Sequence, residues 1–231
     1  MQDTSAVVIV AAGTSQRMQG RDKLWLPLKG RITLARTIDV FENSPCIDTI
    51  ILVINAEHLA DANALRQHEA WQKIAAIVPG GSRRQASVRA GLDALAQLAP
   101  ATQWVMIHDG ARPLVSASIL EAGLFAAQEH GAASAAVPVK ETIKQVQHGI
   151  ISATPDRSFL WSIQTPQVFA FPLIHQAHHS AAARQEVTDD AALLEQLGKP
   201  VAIFPGEYTN IKITTQEDLL LAEALLQGFD S

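Results

Sequence analysis

The chain has 231 residues, 48% of them hydrophobic and 18% charged, which is enough to bury a two-sided α/β core and excludes disorder as the main state. Its 18 Lys and Arg against 23 Asp and Glu give a formal charge of −5, the wrong sign for a protein that binds nucleic acid by neutralising phosphates. The single cysteine, Cys46, excludes an intrachain disulfide and a thiolate metal cage, and it suits a reducing compartment.

Five short β-branched runs alternate with longer segments of helical period, the pattern of a parallel sheet covered by helices. The first apolar run, from Ala6, is too short for a membrane span and lacks the basic flank of a signal peptide. We therefore expect a cytoplasmic protein with no membrane attachment. The predicted strands are Val7–Ala11, Thr49–Ile54, Ala75–Val78, Trp104–His108 and Ala132–Val137.

The starts of several helices carry capping signals. Ser82-x-x-Gln85 has the form of a capping box, and Ser118-x-x-Glu121 and Thr215-x-x-Asp218 are similar. Gly131 is placed to end the helix that precedes it. These signals predict helix starts close to residues 82, 118 and 215.

The stretch 138–155, PVKETIKQVQHGIISATP, interrupts this alternation because polar and apolar residues alternate around His148-Gly149, as in a β-hairpin. An isolated hairpin is only marginally stable in water, so we expect it to project from the main sheet and pack against a second subunit. No repeat or flexible linker divides the chain. We therefore predict a single domain, 1–231, with an arm at 138–155 that makes a homodimer.

The loop after the first strand favours anion binding. Small residues, Ala11-Ala12-Gly13, allow backbone N–H groups to approach phosphate oxygens, and Arg17 and Lys23 follow. In an open α/β sheet, ligands bind beyond the carboxyl ends of the strands, where this loop lies. The alternative for this loop alone is an ordinary solvated βα connection.

Two further strand-end loops reach the same edge. Gly80-Gly81-Ser82 presents backbone amides at a helix N-terminus, which suits an anion or the polar edge of a base. After the fourth strand, Asp109 is placed to hold Mg²⁺ and Arg112 to face a second anionic group, although the two could instead form a plain ion pair. Together the three loops favour a nucleoside triphosphate with its metal, and phosphoryl or nucleotidyl transfer.

Other common site motifs are missing or weak. The sequence has no Gly-x-Gly-x-x-Gly, no P-loop, no Gly-x-Ser-x-Gly and no His-Glu-x-x-His. His175, His178 and His179 are spaced to share a helix face and could in principle hold zinc. Because no carboxylate or thiolate is spaced along the sequence to complete the set, we interpret them as a solvated helix face, and Cys46 as structural.

Seven segments in order resemble one family: AAGTSQRM…K, GGSRRQAS, HDGARP, PVKETIK, DRSFLWSIQTPQVF, VTDDAALLE and NIKITTQEDL. The chain resembles the 2-C-methyl-D-erythritol 4-phosphate cytidylyltransferases from Ala11 to about Glu223. The resemblance implies a Rossmann-like nucleotidyltransferase fold, a GT-A-like three-layer α/β sandwich with a mostly parallel sheet and a projecting β-hairpin arm. It implies CTP and 2-C-methyl-D-erythritol 4-phosphate as substrates, Mg²⁺ or another divalent cation as cofactor, and a homodimer.

The resemblance also assigns roles to individual residues. It implies that Arg17, Lys23, Arg157 and Lys212 are catalytic and that Asp109 binds the metal. It implies CTP binding by Ala11, Ala12, Gly13, Gly80, Gly81, Ser87, Asp109 and Gly110. It implies acceptor binding by Asp109, Arg112, Thr142, Arg157, Thr165, Thr188 and Lys212, with Arg157 and Thr165 completing the site of the other subunit.

Two alternatives remain at this level. A ribitol 5-phosphate cytidylyltransferase would share the Ala-Ala-Gly loop and the TPQ segment, and only the acceptor-pocket residues argue against it. A non-catalytic nucleotide-binding protein would tend to lose the charged residues that only a transition state needs, and Arg17, Lys23, Asp109 and Lys212 are all present.

Overall fold

The computed structural model describes residues 3–13 and 22–229, and most of its strands form one sheet. The strands are β1 (Ser5–Ala11), β2 (Pro27–Leu28), β3 (Arg31–Ile32), β4 (Thr49–Ile54), β5 (Ile74–Pro79), β6 (Trp104–Asp109), β7 (Ala132–Pro138), β8 (Gln145–Gln147), β9 (Ile150–Ala153), β10 (Trp161–Ala170) and β11 (Ala202–Pro205). The helices are α1 (Thr33–Asn43), α2 (Leu59–Glu69), α3 (Arg84–Leu98), α4 (Ala117–His130), α5 (Phe171–His178), α6 (Asp190–Gln196) and α7 (Gln216–Phe229).

The central sheet has seven strands in the order β11-β7-β10-β6-β1-β4-β5. Strand β10 runs antiparallel to its neighbours β6 and β7, while the other pairs are parallel. The five strands predicted from β-branched runs are therefore confirmed, and the fold is the expected mostly parallel α/β sheet. Burial on both faces explains their nearly continuous apolar sequences.

Helices cover both faces of this sheet, which makes three layers. On one face Val7 and Ile9 of β1 pack with α1 and α4, and on the other Ala6 and Val8 pack with α3, α5 and α6. Helix α7 packs against a smaller apolar cluster around Leu28 and Ile213. No helix in the described ranges is both long enough and apolar enough to cross a bilayer.

Strands β10 and β11 are absent from the sequence prediction. Strand β10 carries Pro166 and polar residues through the centre of the sheet, and its pairing with β7 shifts register between Ile163 and Gln167. That irregularity accommodates a residue without an N–H group, which a regular central strand excludes. Strand β11 has only four residues and no strong β-branched run.

The structure confirms some of the helix-start and helix-end signals and contradicts others. The prediction at Thr215 is confirmed, because Thr215 and Asp218 exchange side-chain to backbone hydrogen bonds at the start of α7. The box at Ser82 is wrong: the N-cap of α3 is Arg83, one residue later, and it makes no side-chain capping hydrogen bond. The cap of α4 is Ser116 instead of Ser118, and Gly131 ends α4 with a φ of 83° as expected.

The predicted hairpin is confirmed as the separate β8–β9 sheet. His148 and Gly149 have φ values of 52° and 78°, the two positive values that a type I′ turn needs. Val146, Ile150 and Ile151 point into solvent, with Ile150 73% exposed. We call the segment 138–155 the arm.

Candidate active site

A cavity of about 430 Å³ opens beyond the carboxyl ends of β1, β4, β5 and β6. This is the edge at which parallel α/β sheets bind ligands. We call it the large cavity. The described residues that line it are Val10, Ala11, Ala12, Gly13, Lys23, Leu24, Asn55, Ala56, Gly80, Gly81, Ser82, Arg83, Arg84, Ser87, Asp109, Ala111 and Lys212.

Two glycines let the loops after β1 and β5 approach each other closely. A Cβ atom on Gly80 would lie 2.2 Å from Cβ of Ala12 and 2.8 Å from Oγ of Ser87. A Cβ on Gly81 would lie 2.5 Å from Cβ of Ala86. The Ser87 hydroxyl accepts a hydrogen bond from the Gly81 N–H at 3.1 Å, so the loop is wrapped around this serine. That wrapping is why α3 starts later than the Ser82 signal predicts.

Asp109 is the electrostatic centre of the site. It ends β6, is 7% exposed and contacts three cations: Lys212 Nζ at 2.8 Å, Arg84 Nε at 3.2 Å and Arg112 Nε at 3.9 Å. Burial alone raises the pKa of Asp109, but the charges of Arg84, Lys212 and Arg112 outweigh it and hold the pKa well below its usual range. The carboxylate is therefore ionised at neutral pH.

The cations around Asp109 are themselves held in place. Arg84 Nη1 donates to Asp190 at 2.7 Å, and Arg112 Nη1 donates to the backbone oxygen of Asn210 at 2.7 Å. A fixed set of charges needs little reorganisation when an anion binds, and this is how preorganised sites stabilise transition states.

His108 supports this cluster through buried hydrogen bonds. The hydroxyl of Thr165 accepts the Asp109 N–H at 3.0 Å and lies 3.1 Å from Nδ1 of His108, whose Nε2 lies 3.2 Å from the Arg112 oxygen. A backbone oxygen can only accept, so Nε2 carries the proton and Nδ1 accepts from Thr165. Burial lowers the pKa of His108 to about 4, so the ring is neutral at pH 7.

The buried neutral ring makes stability depend on pH. Because the folded-state pKa of His108 is lowered from 6.5 to about 4, the unfolded chain binds more protons in that window, and stability is lost as the pH falls. We expect the free energy of unfolding to drop by about 3 kcal/mol between pH 6.5 and 4, measured by denaturant titration.

The matched controls for this pH dependence are two histidine variants. His108→Gln should be less stable overall but should flatten the slope, whereas His68→Gln, at an exposed position, should retain it. An unchanged slope in His108→Gln would contradict the assignment.

A second cavity of about 310 Å³, the small cavity, lies on the other side of Asp109. Arg84, Asp109 and Lys212 line both cavities. The arrangement puts two separate spaces beside one cationic cluster. The described residues lining the small cavity are Arg84, Asp109, Arg112, Ile163, Gln164, Thr165, Gln167, Thr188, Asp189 and Lys212.

Most of the residues singled out from the sequence meet at these two cavities. Gly110 does not line either cavity: its backbone N–H donates to the Val10 oxygen of β1 at 2.9 Å. Thr142 and Arg157 lie exposed on or beside the arm, with Arg157 donating to the Lys140 oxygen at 2.9 Å. Arg17 lies outside the described residues. The large cavity receives Ala11, Ala12, Gly13, Lys23, Gly80, Gly81, Ser87, Asp109 and Lys212, and the small cavity Asp109, Arg112, Thr165, Thr188 and Lys212.

Thr165 is placed differently from the sequence expectation. It is 5% exposed, and its hydroxyl bonds His108 and Asp109 of its own chain. The expectation that it completes the site of a second subunit is therefore wrong. Thr165 instead lines the small cavity of its own chain, beside Asp109 and Arg112.

The site also contains residues that the sequence reasoning missed. Arg84 forms ion pairs with both Asp109 and Asp190. The side-chain oxygen of Gln167 accepts hydrogen bonds from the backbone N–H groups of Asp190 and Ala191. Arg84 follows the Gly-Gly turn, so its position after a loop predicted to bind an anion was the available signal. The pairing with Asp190 spans 106 residues and has no local pattern.

The histidine cluster also departs from its interpretation as a solvated face. His178 is fully buried and lies 3.1 Å from Asp190. His175 and His179 meet Asp93 of α3, a carboxylate distant in sequence. The missing acidic partner is therefore supplied by the neighbouring helix.

A family model described as IspD, 2-C-methyl-D-erythritol 4-phosphate cytidylyltransferase, matches residues 5–228. The chain belongs to this family. A relative of that name from Dehalococcoides mccartyi is 46% identical over 98% of both chains, and one from Bacillus licheniformis is 45% identical over 96% of this chain and 95% of the relative. The crystal structure of 4-diphosphocytidyl-2C-methyl-D-erythritol synthase from Anaerococcus prevotii superimposes with a TM-score of 0.86, at 33% identity, over 97% of this chain and 99% of the other.

Family membership confirms the resemblance drawn from the seven motifs. It makes the chain a nucleotidyltransferase, a cytidylyltransferase of the non-mevalonate isoprenoid pathway. The IspD fold is likewise the expected layered α/β sheet.

Proposed function

We propose that the chain transfers CMP from CTP to 2-C-methyl-D-erythritol 4-phosphate, forming 4-diphosphocytidyl-2-C-methyl-D-erythritol and releasing pyrophosphate. The observation that carries this proposal is the pair of cavities that share Arg84, Asp109 and Lys212. Two anionic substrates can approach each other there because fixed cations stand between them.

In this proposal the large cavity binds CTP. The N–H groups of Gly80 and Gly81 are bonded to the Ile54 oxygen and to Ser87, so the turn shapes the cavity, while Gly13 and the N-terminal end of α3 that follows the turn would offer backbone N–H groups to the phosphates and to the edge of the cytosine ring. The small cavity then receives the acceptor, whose phosphate would meet Arg112 and Lys212 and whose hydroxyl groups would meet Thr165 and Thr188.

The acceptor phosphate is ionised at neutral pH, so no general base is needed. One of its oxygens attacks the α-phosphorus of CTP in line, and the bond from that phosphorus to the β-phosphate oxygen breaks, which releases pyrophosphate. Lys23 and Lys212, together with Arg17, would neutralise charge on the phosphates as it moves. Catalysis is thus positioning and charge neutralisation.

Mg²⁺ fits this donor set. Asp109 is the one carboxylate among the described residues of the large cavity, and its low pKa keeps it in the form that binds a cation. Mg²⁺ is usually held by one or two carboxylates with phosphate oxygens and water as the other ligands. When bound, the ion would neutralise charge on the triphosphate.

We propose that the arm makes a homodimer. It exposes apolar side chains that a monomer leaves in water, and beside it Phe159 is 82% exposed and Trp161 is also exposed. Thr142 and Arg157 lie on or beside this arm, so in a dimer they would reach the acceptor site of the partner.

We also propose that the protein works in the cytoplasm. Its single cysteine, Cys46, is a free thiol, and thiols stay reduced in that compartment.

Gly80→Ala tests the assignment of the large cavity. The added Cβ would lie 2.2 Å from Cβ of Ala12, so the two loops must separate. We expect the KM for CTP to rise at least about tenfold, with a loss of about 1–3 kcal/mol in unfolding free energy. Gly228→Ala, which has nothing within 4 Å of the new Cβ, is the control and should leave KM unchanged. A normal KM in Gly80→Ala would count against CTP binding at this turn.

Pyrophosphate release tests the function itself. With CTP and Mg²⁺, we expect release that depends on 2-C-methyl-D-erythritol 4-phosphate and is far slower with ribitol 5-phosphate. Faster turnover with ribitol 5-phosphate would reassign the acceptor. No release with either, despite measurable CTP binding, would make the chain a nucleotide-binding protein without this activity.

A further inference from the structure

A second group of metal-ligating side chains lies away from the two cavities, where α3 meets α5. Nε2 of His175 is 3.0 Å and Nε2 of His179 is 2.7 Å from the same oxygen, Oδ1 of Asp93. One ligand atom from each of the three residues lies within 4.8 Å of the other two. None of these residues lines either cavity.

The geometry is close to that of a coordination site. His175 and His179 are separated by one helical turn and present the same ring nitrogen to Asp93. In a tetrahedral zinc site with metal–ligand bonds of about 2.0–2.1 Å, neighbouring ligand atoms are about 3.3 Å apart. The observed separations from Asp93 Oδ1, 3.0 and 2.7 Å, need only a small expansion to admit an ion.

The three side chains are held by the scaffold. The His175 ring stacks on Phe171 with centroids 5.4 Å apart, and it meets the His179 ring edge-on at 4.9 Å. Asp93 lies on α3, which packs against α5, so the ligands come from two helices that are already in contact.

We propose that Asp93, His175 and His179 form a site for one divalent transition-metal ion, of which Zn²⁺ is the best match. Imidazole nitrogens with a single carboxylate suit zinc and its first-row neighbours, whereas Mg²⁺ prefers oxygen ligands. Three protein ligands leave a fourth position for water. This site is therefore distinct in chemistry from Asp109.

A bound ion would join two helices that cover the same face of the sheet. Helix α3 begins at Arg84, which contacts Asp109, and α5 ends with His178, whose partner Asp190 also holds Arg84. The ion would therefore brace the face of the molecule behind the cationic cluster, and ions that bind only the folded state stabilise it.

The test is a titration of the full chain, freed of any affinity tag, with ZnCl₂ in the presence of excess Mg²⁺. We expect one Zn²⁺ per chain, a rise in Tm of about 3 °C at saturating Zn²⁺, and with Co²⁺ the visible absorption of a four-coordinate ion. Asp93→Asn and His179→Gln should each weaken Zn²⁺ binding at least about tenfold.

The control is His58→Gln, because His58 also faces two carboxylates, Asp61 at 3.2 Å and Asp22 at 3.6 Å. It should bind Zn²⁺ as the unaltered chain does. The proposal is overturned if the unaltered chain takes up no Zn²⁺, or if Asp93→Asn binds it equally well. It is also overturned if only His58→Gln loses binding. The Co²⁺ spectrum of the unaltered chain does not depend on any variant folding correctly.

Discussion

Replacing Asp109 with Asn should lower kcat by on the order of 10³-fold, the largest effect expected of any single substitution in the described site. The change preserves the size of the side chain but removes the negative charge that orders Arg84, Arg112 and Lys212. It also removes the carboxylate proposed to hold Mg²⁺. Steady-state pyrophosphate release, with CTP and acceptor both saturating, measures the loss.

The same substitution should cost some stability, because three cations lose their shared partner. Since Arg84 and Lys212 are partly exposed, we expect about 1–3 kcal/mol, less than for a fully buried pair. Asp61→Asn, on an exposed carboxylate whose partner is His58, is the control and should change neither quantity. A folded Asp109→Asn protein with kcat within tenfold of normal would remove Asp109 from the chemistry.

Activity should return when two inactive proteins, Arg157→Ala and Lys23→Ala, are mixed and allowed to exchange subunits. Lys23 lines the large cavity of its own chain, whereas Arg157 lies exposed beside the arm. In the proposed dimer each heterodimer has one site that combines an intact Lys23 with an intact Arg157. Random exchange between equal amounts of the two proteins makes half of the dimers mixed, and one of the two sites in each mixed dimer is intact. Activity should therefore rise to about one quarter of that of the unaltered enzyme.

The matched control mixes Arg157→Ala with a double variant that carries both changes on one chain. No dimer in that mixture contains an intact site, because every subunit lacks Arg157. Recovered activity in the first mixture alone supports the shared site. Confirmed subunit exchange without recovery would show that Arg157 serves its own chain or none.

Local patterns predicted the parts of the fold that local physics determines. The β-branched runs became the parallel strands, and the His148-Gly149 turn became the tip of the arm. Strand β10 was missed because Pro166 and its polar neighbours lie in a buried central position through a register shift, which depends on both flanking strands. The Ser82 cap failed because Ser87 holds the loop instead.

Within the site, residues on strand-end loops were predictable and long-range partners were not. The loops after β1, β5 and β6 must meet at one edge, so Gly13, Gly80 and Asp109 could be grouped from topology alone. The pairing of Arg84 with Asp190 and the approach of Asp93 to His175 depend on how helices pack, and the sequence carries no spacing for either.

The wall shared by the two cavities has a consequence for inhibition. Because Arg84, Asp109 and Lys212 border both spaces, a single molecule that joins a nucleotide-like anion to a polyol phosphate by a short linker would occupy both at once. Its second half would bind at a high effective concentration, so its affinity should far exceed that of either half alone. Because the two spaces share this wall, such a bisubstrate ligand is the natural probe of this enzyme.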